Sequence, residues 1–183
     1  MSIARALAAF LLFLLGLFCF SLFPRVLVYE KGQYRQKEPF FVSPVPVAGD
    51  TVSLRNDEYG KGHFGASRNG GRLHKGMDLR VPVGGDIFAS KSGRVGSTGF
   101  DKGYGRYIEI FHPDGLKTIY AHLSQISVKE GNWVALRAEI GKAGKTGNAA
   151  NPHMLPHLHF EIQKDGASLD PTRGLLDPKL VVK

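Results

Sequence analysis

Cysteine is almost missing from this chain: Cys19 is the only one in 183 residues. No intrachain disulfide can form, and a metal site in the rest of the chain has no thiolate to draw on. Long helical patterning is missing too. After Phe23 no stretch of twelve residues repeats its apolar positions with a 3.6-residue period. Acidic residues are scarce beside basic ones, 16 against 24, for a formal charge of +8. That excess points to an anionic partner such as a cell-wall polymer, a membrane surface or nucleic acid. A basic stripe with interleaved aromatics and any nucleic-acid motif are both lacking, so nucleic acid is not the expected partner.

Glycine and proline are abundant, with 23 and ten copies, which favours strands joined by tight turns. The 43% hydrophobic content excludes a disordered chain. The length suits one globular domain with a short appendage.

The appendage is N-terminal. Ala6 to Phe23 is an apolar run interrupted by Gly16 and Ser21, with Arg5 before it and Arg25 after. As a helix it would reach about 27 Å, close to a hydrocarbon core of about 30 Å. Phe18, Phe20, Leu22 and Phe23 occupy places where a signal cleavage site needs small residues. Phe18 likewise argues against lipid attachment at Cys19. Residues 1–23 are therefore expected to be a single-pass transmembrane helix rather than a cleaved signal, with 24–39 as a linker and 40–183 as the globular domain.

Within that domain the pattern is strand and turn. Phe40–Val47, with its prolines, reads as an extended entry strand at a sheet edge. Residues 60–71 read as a glycine-rich loop. Short β-type runs follow at Ile87–Ser90, Gly93–Thr98, Tyr107–Phe111, Leu116–His122, Val134–Ile140 and His157–Gln163. Asp114-Gly115 is a strong hairpin signal between two of them. The expected fold is mainly β, an antiparallel sheet or sandwich-like domain.

Three short clusters carry the chemistry: His74-Lys-Gly-Met-Asp78, Tyr120-Ala-His122 and His157-Leu-His159-Phe-Glu161. Two neutral imidazoles and one carboxylate suffice for a zinc first shell with a fourth position open, and two further histidines remain to handle protons. Side chains alternate along a strand, so His157, His159 and Glu161 share one face while Leu158, Phe160 and Ile162 enter the core. His74 and Asp78 have helical spacing, yet Gly76 and Gly70-Gly71 favour a turn feeding the strand Asp78–Val81. A lone histidine such as His122 is by itself more often structural than catalytic.

Taken together, the segments Phe41-Val-Ser-Pro-Val-Pro46, Phe64-Gly65, Leu73-His-Lys-Gly-Met-Asp-Leu79, Pro82-Val-Gly84, Gly93-Arg-Val95, Tyr120-Ala-His-Leu123, Gly141-Lys-Ala-Gly-Lys-Thr-Gly147 and Pro156-His-Leu-His-Phe-Glu161 resemble the lysostaphin-type, LytM-like zinc metallopeptidases. The resemblance spans about residues 40–163. It implies a zinc-containing groove, with His74, Asp78 and His159 as metal ligands and His122 and His157 as the catalytic pair. It further implies an endopeptidase of peptidoglycan cross-links or bridges; with the apolar run as its membrane tether, that substrate puts the domain on the extracytoplasmic side of the cell membrane. The alternative is a non-catalytic peptidoglycan-binding scaffold that regulates other wall hydrolases. One departure stands out. The connection Thr146-Gly-Asn-Ala-Ala-Asn-Pro-His-Met-Leu-Pro156 is longer than the family's usual one and carries His153. His153 and His157 have ligand spacing on a helix, which Pro156 disfavours. For His63 and His112 a groove-wall or surface role is expected.

Overall fold

A computed structural model describes residues 11–18, 22 and 30–183. The chain divides into two units at the Pro39–Phe40 boundary. Before the boundary, residues 11–18 and 22 are helical, as are residues 30–37. The expected anchor over residues 1–23 lies largely outside the described residues. Among the described residues no helix is long and apolar enough to cross a membrane. The short helix over 30–37 was not read from the sequence. Its Lys, Gln, Arg and Glu favour helix without supplying an apolar stripe, and it stops before Pro39.

Beyond the boundary the domain is mainly β, as expected. One continuous sheet contains nine strands: β1 (Met77–Arg80), β2 (Asp86–Phe88), β3 (Gly93–Asp101), β4 (Gly105–Phe111), β5 (Leu116–Ile126), β6 (Trp133–Val134), β7 (Glu139–Ala143), β8 (His157–Lys164) and β9 (Ala167–Leu169). The main path runs β9-β8-β5-β4-β3-β6, with β1 on β8 and β7 pairing both β2 and β5. Every pairing in this sheet is antiparallel. The ends of the domain close by a parallel pairing of Thr51–Val52 with Val181–Val182.

Local chemistry explains these elements. The β4–β5 hairpin turns through His112-Pro-Asp-Gly115, where the Gly115 amide donates to the His112 carbonyl and Gly115 takes a positive φ of 86°. Proline in the turn and glycine after it suit a tight turn followed by a left-handed residue. The expected single run Val134–Ile140 is two strands instead. The Ala138 amide donates to Ala135, and Arg137 adopts φ 65°, so a turn without glycine or proline separates them. The expected entry strand Phe40–Val47 makes only an isolated bridge from Phe41 to Leu176. Its prolines lack the amide needed for a regular ladder.

Leu158, Phe160 and Ile162 of β8 are fully buried and pack with Met77, Leu79, Ile108, Tyr120, Leu123 and Ile140. Each such side chain contributes about 1.5–3 kcal/mol relative to an exposed one. Because successive residues of β8 face opposite ways, this burial fixes His157, His159 and Glu161 on the other face.

Candidate metal and peptidase centre

β8 lies between β1 and β5, and its register brings the polar residues together. His159 pairs with Asp78 on one side and Ala121 on the other, while His157 pairs with Arg80. His74 arrives from the turn ahead of β1. Gly76 lets that turn lie directly on β8, because a Cβ there would run into the Phe160 carbonyl.

The result is a small triangle of ligand atoms. His74 Nε2 lies 2.9 Å from Asp78 Oδ1 and 3.0 Å from His159 Nδ1, and the third edge, His159 Nδ1 to Asp78 Oδ1, is 2.8 Å. All three residues are buried. The edges are shorter than twice a zinc–ligand bond of about 2.0–2.2 Å, so one ion can touch all three. Among the described residues this is the group of His, Cys, Asp and Glu that can hold a metal.

The outer partners suit the same task. The His74 Nδ1–H donates to the His63 carbonyl at 2.9 Å, leaving Nε2 as the free lone pair. His159 Nε2 faces Glu161 Oε1 at 2.9 Å, the carboxylate–histidine arrangement that aims the other nitrogen at a metal. Glu161 also accepts from Tyr104 Oη, Gln163 Nε2 and Ser168 Oγ. Asp78 uses its two oxygens differently. Oδ1 points into the triangle, and Oδ2 accepts from Arg55 and Arg68, each through an Nη2 at 3.0 Å.

Arg55 is buried and also pairs with Asp57. Asp57 in turn accepts from the Leu155 amide, and the Leu155 carbonyl accepts from His157 Nδ1 at 2.8 Å. Through this chain the long connection before β8 is tied to the metal-side carboxylate. His153, on that connection, is exposed and outside the ligand cluster. His63 contributes only its carbonyl. His112 is neither groove wall nor surface: it is buried, bonded to the Ser92 carbonyl and Thr118 Oγ1.

His122 owes its position to a bulge. Ile108 pairs with Tyr120 and Arg106 with Leu123, so Ala121 and His122 together oppose Tyr107 alone. His122 adopts φ 66°, and its amide donates to the Tyr104 carbonyl. Its Nδ1–H donates to the Thr146 carbonyl at 2.9 Å. Thr146 is held by hydrogen bonds to Arg106 and Leu123. The Thr146-Gly147 turn packs on Gly105 so closely that a Cβ on either glycine would strike the other's backbone or its neighbour. The His122 and His157 rings meet edge-on with centroids 5.0 Å apart, and His157 Nε2 lies 3.8 Å from Asp78 Oδ1. Both imidazoles thus donate from Nδ1 to a main-chain carbonyl and keep Nε2 as an acceptor.

Electrostatics separates the two kinds of histidine. Burial pushes His122 down to about 3, helped by its neighbours His159 and His157, and burial lowers His157 as well. Both are neutral bases at pH 7. For His159, burial is outweighed by hydrogen bonds to the Asp78 and Glu161 carboxylates, which raise it to about 9. The same contacts overcome burial to hold Asp78 well below the carboxylate range and Glu161 at about 2. A metal held by this cluster would have to displace a proton from His159. Zinc binding at pH 7 is expected to release about one proton, with affinity rising about tenfold per pH unit up to about pH 9. Calorimetry in buffers of different ionisation enthalpy reads this directly, and buffer-independent heats would refute it. Because the folded value is raised, the metal-free chain gains stability from His159 that is complete below about pH 6.5 and lost as pH passes about 9.

An antiparallel sheet that gathers a two-histidine, one-carboxylate cluster beside two neutral imidazoles defines a candidate metallohydrolase. The model of peptidase family M23 matches residues 72–171, and the chain belongs to that family. It is similar to stage II sporulation protein Q of Bacillus subtilis, 42% identical over 108 residues, or 58% of this chain and 38% of that protein. It is also similar to the DD-carboxypeptidase/endopeptidase Mpg of Neisseria meningitidis, 40% identical over 55% of this chain and 22% of that protein. Among solved structures, a zinc-containing peptidase from Vibrio cholerae superposes with a TM-score of 0.57 at 27% identity, covering 73% of this chain and 41% of that one. The chain thus spans well under half the length of these relatives.

Proposed function

We propose that this chain is a zinc-dependent endopeptidase acting on the peptides of peptidoglycan. The observation that carries the reading is the His74–Asp78–His159 triangle with the Nε2 lone pairs of His122 and His157 beside it. Bound zinc would supply a Lewis acid for the scissile carbonyl and would make a water a stronger acid near pH 7. His74, Asp78 and His159 hold the ion, and Glu161 and the His63 carbonyl fix the two imidazoles in their ligating tautomers. His122 and His157, both neutral and locked through Nδ1, accept the attacking water's proton and return it to the leaving amine, or hydrogen-bond the tetrahedral oxyanion. The net charge of +8 favours an anionic wall polymer.

The apolar run over residues 6–23 supports a membrane anchor that keeps the domain on the extracytoplasmic side, where peptidoglycan lies. A second reading, a wall-binding scaffold, is favoured by similarity to a sporulation protein whose name records no hydrolysis. Incubating the zinc-loaded chain with purified cell wall separates them. New amino termini that disappear on chelation are expected. A zinc-bound chain that releases none would favour the scaffold.

A further inference from the structure

Of three arginines that contact Asp78 or share its strand, two are occupied: Arg55 and Arg68 both grip Asp78. The third, Arg80, is exposed, and among the described residues no carboxylate pairs with it. Its place is fixed by register. Asp78 and Arg80 are two apart on β1 and face the same way, and Arg80 lies directly opposite His157 on β8. Residues so paired have Cβ atoms about 4.5–5.5 Å apart. Arg80 is therefore the next side chain beyond the imidazoles on the polar face. It borders a cavity of about 500 Å³ whose other walls include Val52, Val81, Pro82 and Pro156. Pro156 immediately precedes His157, so the cavity begins one residue along the chain from the centre, whose own side chains do not line it.

We infer that Arg80 and this cavity form an anion subsite that takes a free carboxylate of the peptide substrate, one or two residues from the bond that is cut. The inference rests on the reading of the centre as a peptidase site. An extended peptide advances about 3.3–3.6 Å per residue, so a ligand lying over His157 brings its neighbouring residue within reach of Arg80. A guanidinium presents a planar fork of donors that matches a carboxylate, and Thr51 and Ser53 line the same cavity beside it. The exposed position means that the cation is not needed to balance a buried charge.

The test uses the zinc-loaded chain with His122→Ala, so that ligand survives the measurement. The probes are one stem-peptide fragment prepared as the free acid, as its C-terminal amide, and with its side-chain carboxyl amidated. Calorimetric titration is expected to show the free acid binding about 10- to 100-fold more tightly than one of the two amides, the range for a charge-assisted contact. Which amide loses affinity identifies the terminal or the side-chain carboxylate as the group held. Adding Arg80→Met should shrink that ratio to under about twofold with zinc content unchanged, and Arg80→Lys should restore part of it. Equal binding of all three forms, or a preference that survives Arg80→Met, overturns the subsite. Failure of the unmutated chain to hydrolyse the fragment, with the preference intact and dependent on Arg80, would overturn the peptidase reading and leave the subsite standing.

Discussion

Alanine at Asp78 is expected to abolish zinc retention and hydrolysis and to destabilise the chain by about 3–5 kcal/mol, the range for breaking a buried ion pair. The loss of stability comes from Arg55, which is buried and would keep only Asp57 as a carboxylate partner. His159→Ala provides the comparison. It removes a ligand and so fails to hold zinc, but Glu161 keeps Tyr104, Gln163 and Ser168, and the expected cost is about 1–3 kcal/mol. Metal loss in both should exceed the 10- to 100-fold that follows removal of a ligand's outer partner. Denaturant titration of the metal-free proteins, paired with zinc analysis, reads both effects. Stoichiometric zinc in either variant would remove that residue from the ligand set.

The second large effect is expected at His122. His122→Ala should lower kcat by about 10²–10⁴, the usual range for a positioned proton-transfer group, while zinc content stays unchanged. That separation is the point of the experiment, because a ligand cannot be removed without losing metal. The pH profile adds a check. Since burial puts His122 at about 3, ionisation of this residue should not produce an acid limb in activity between pH 5 and 7. An acid limb in that window which disappears in His122→Ala would contradict the placement of His122 as a base that is neutral before the reaction begins.

How much of this was visible in the sequence depends on range. The shared face of His157 and His159 follows from a two-residue period, which is local, and the buried Leu158 and Phe160 bear it out. Glu161 belongs to the same alternation, so its place beside His159 was legible, although its partnership with Tyr104 was not. Arg55 and Arg68 were missed altogether. They reach Asp78 across 23 and 10 residues through folded loops, and no spacing rule marks them. The Asp57 contact that ties down the long connection spans 98 residues and is equally silent. The sorting of five candidates into ligands and proton carriers came from family resemblance. The β5 bulge was invisible because nothing in Tyr120-Ala-His-Leu123 announces a left-handed residue.

That bulge has a consequence for how far this domain can be stabilised. A left-handed backbone costs an L-residue about 1–2 kcal/mol that glycine does not pay, and His122 occupies it at φ 66°. In backbone terms the most comfortable residue at position 122 is thus glycine, which has no nitrogen to offer. Selection for thermostability alone would drift toward erasing the imidazole, whereas selection for turnover must keep the strain. The position is a fixed point of conflict between robustness and chemistry, and stabilising substitutions are best sought elsewhere in the sheet.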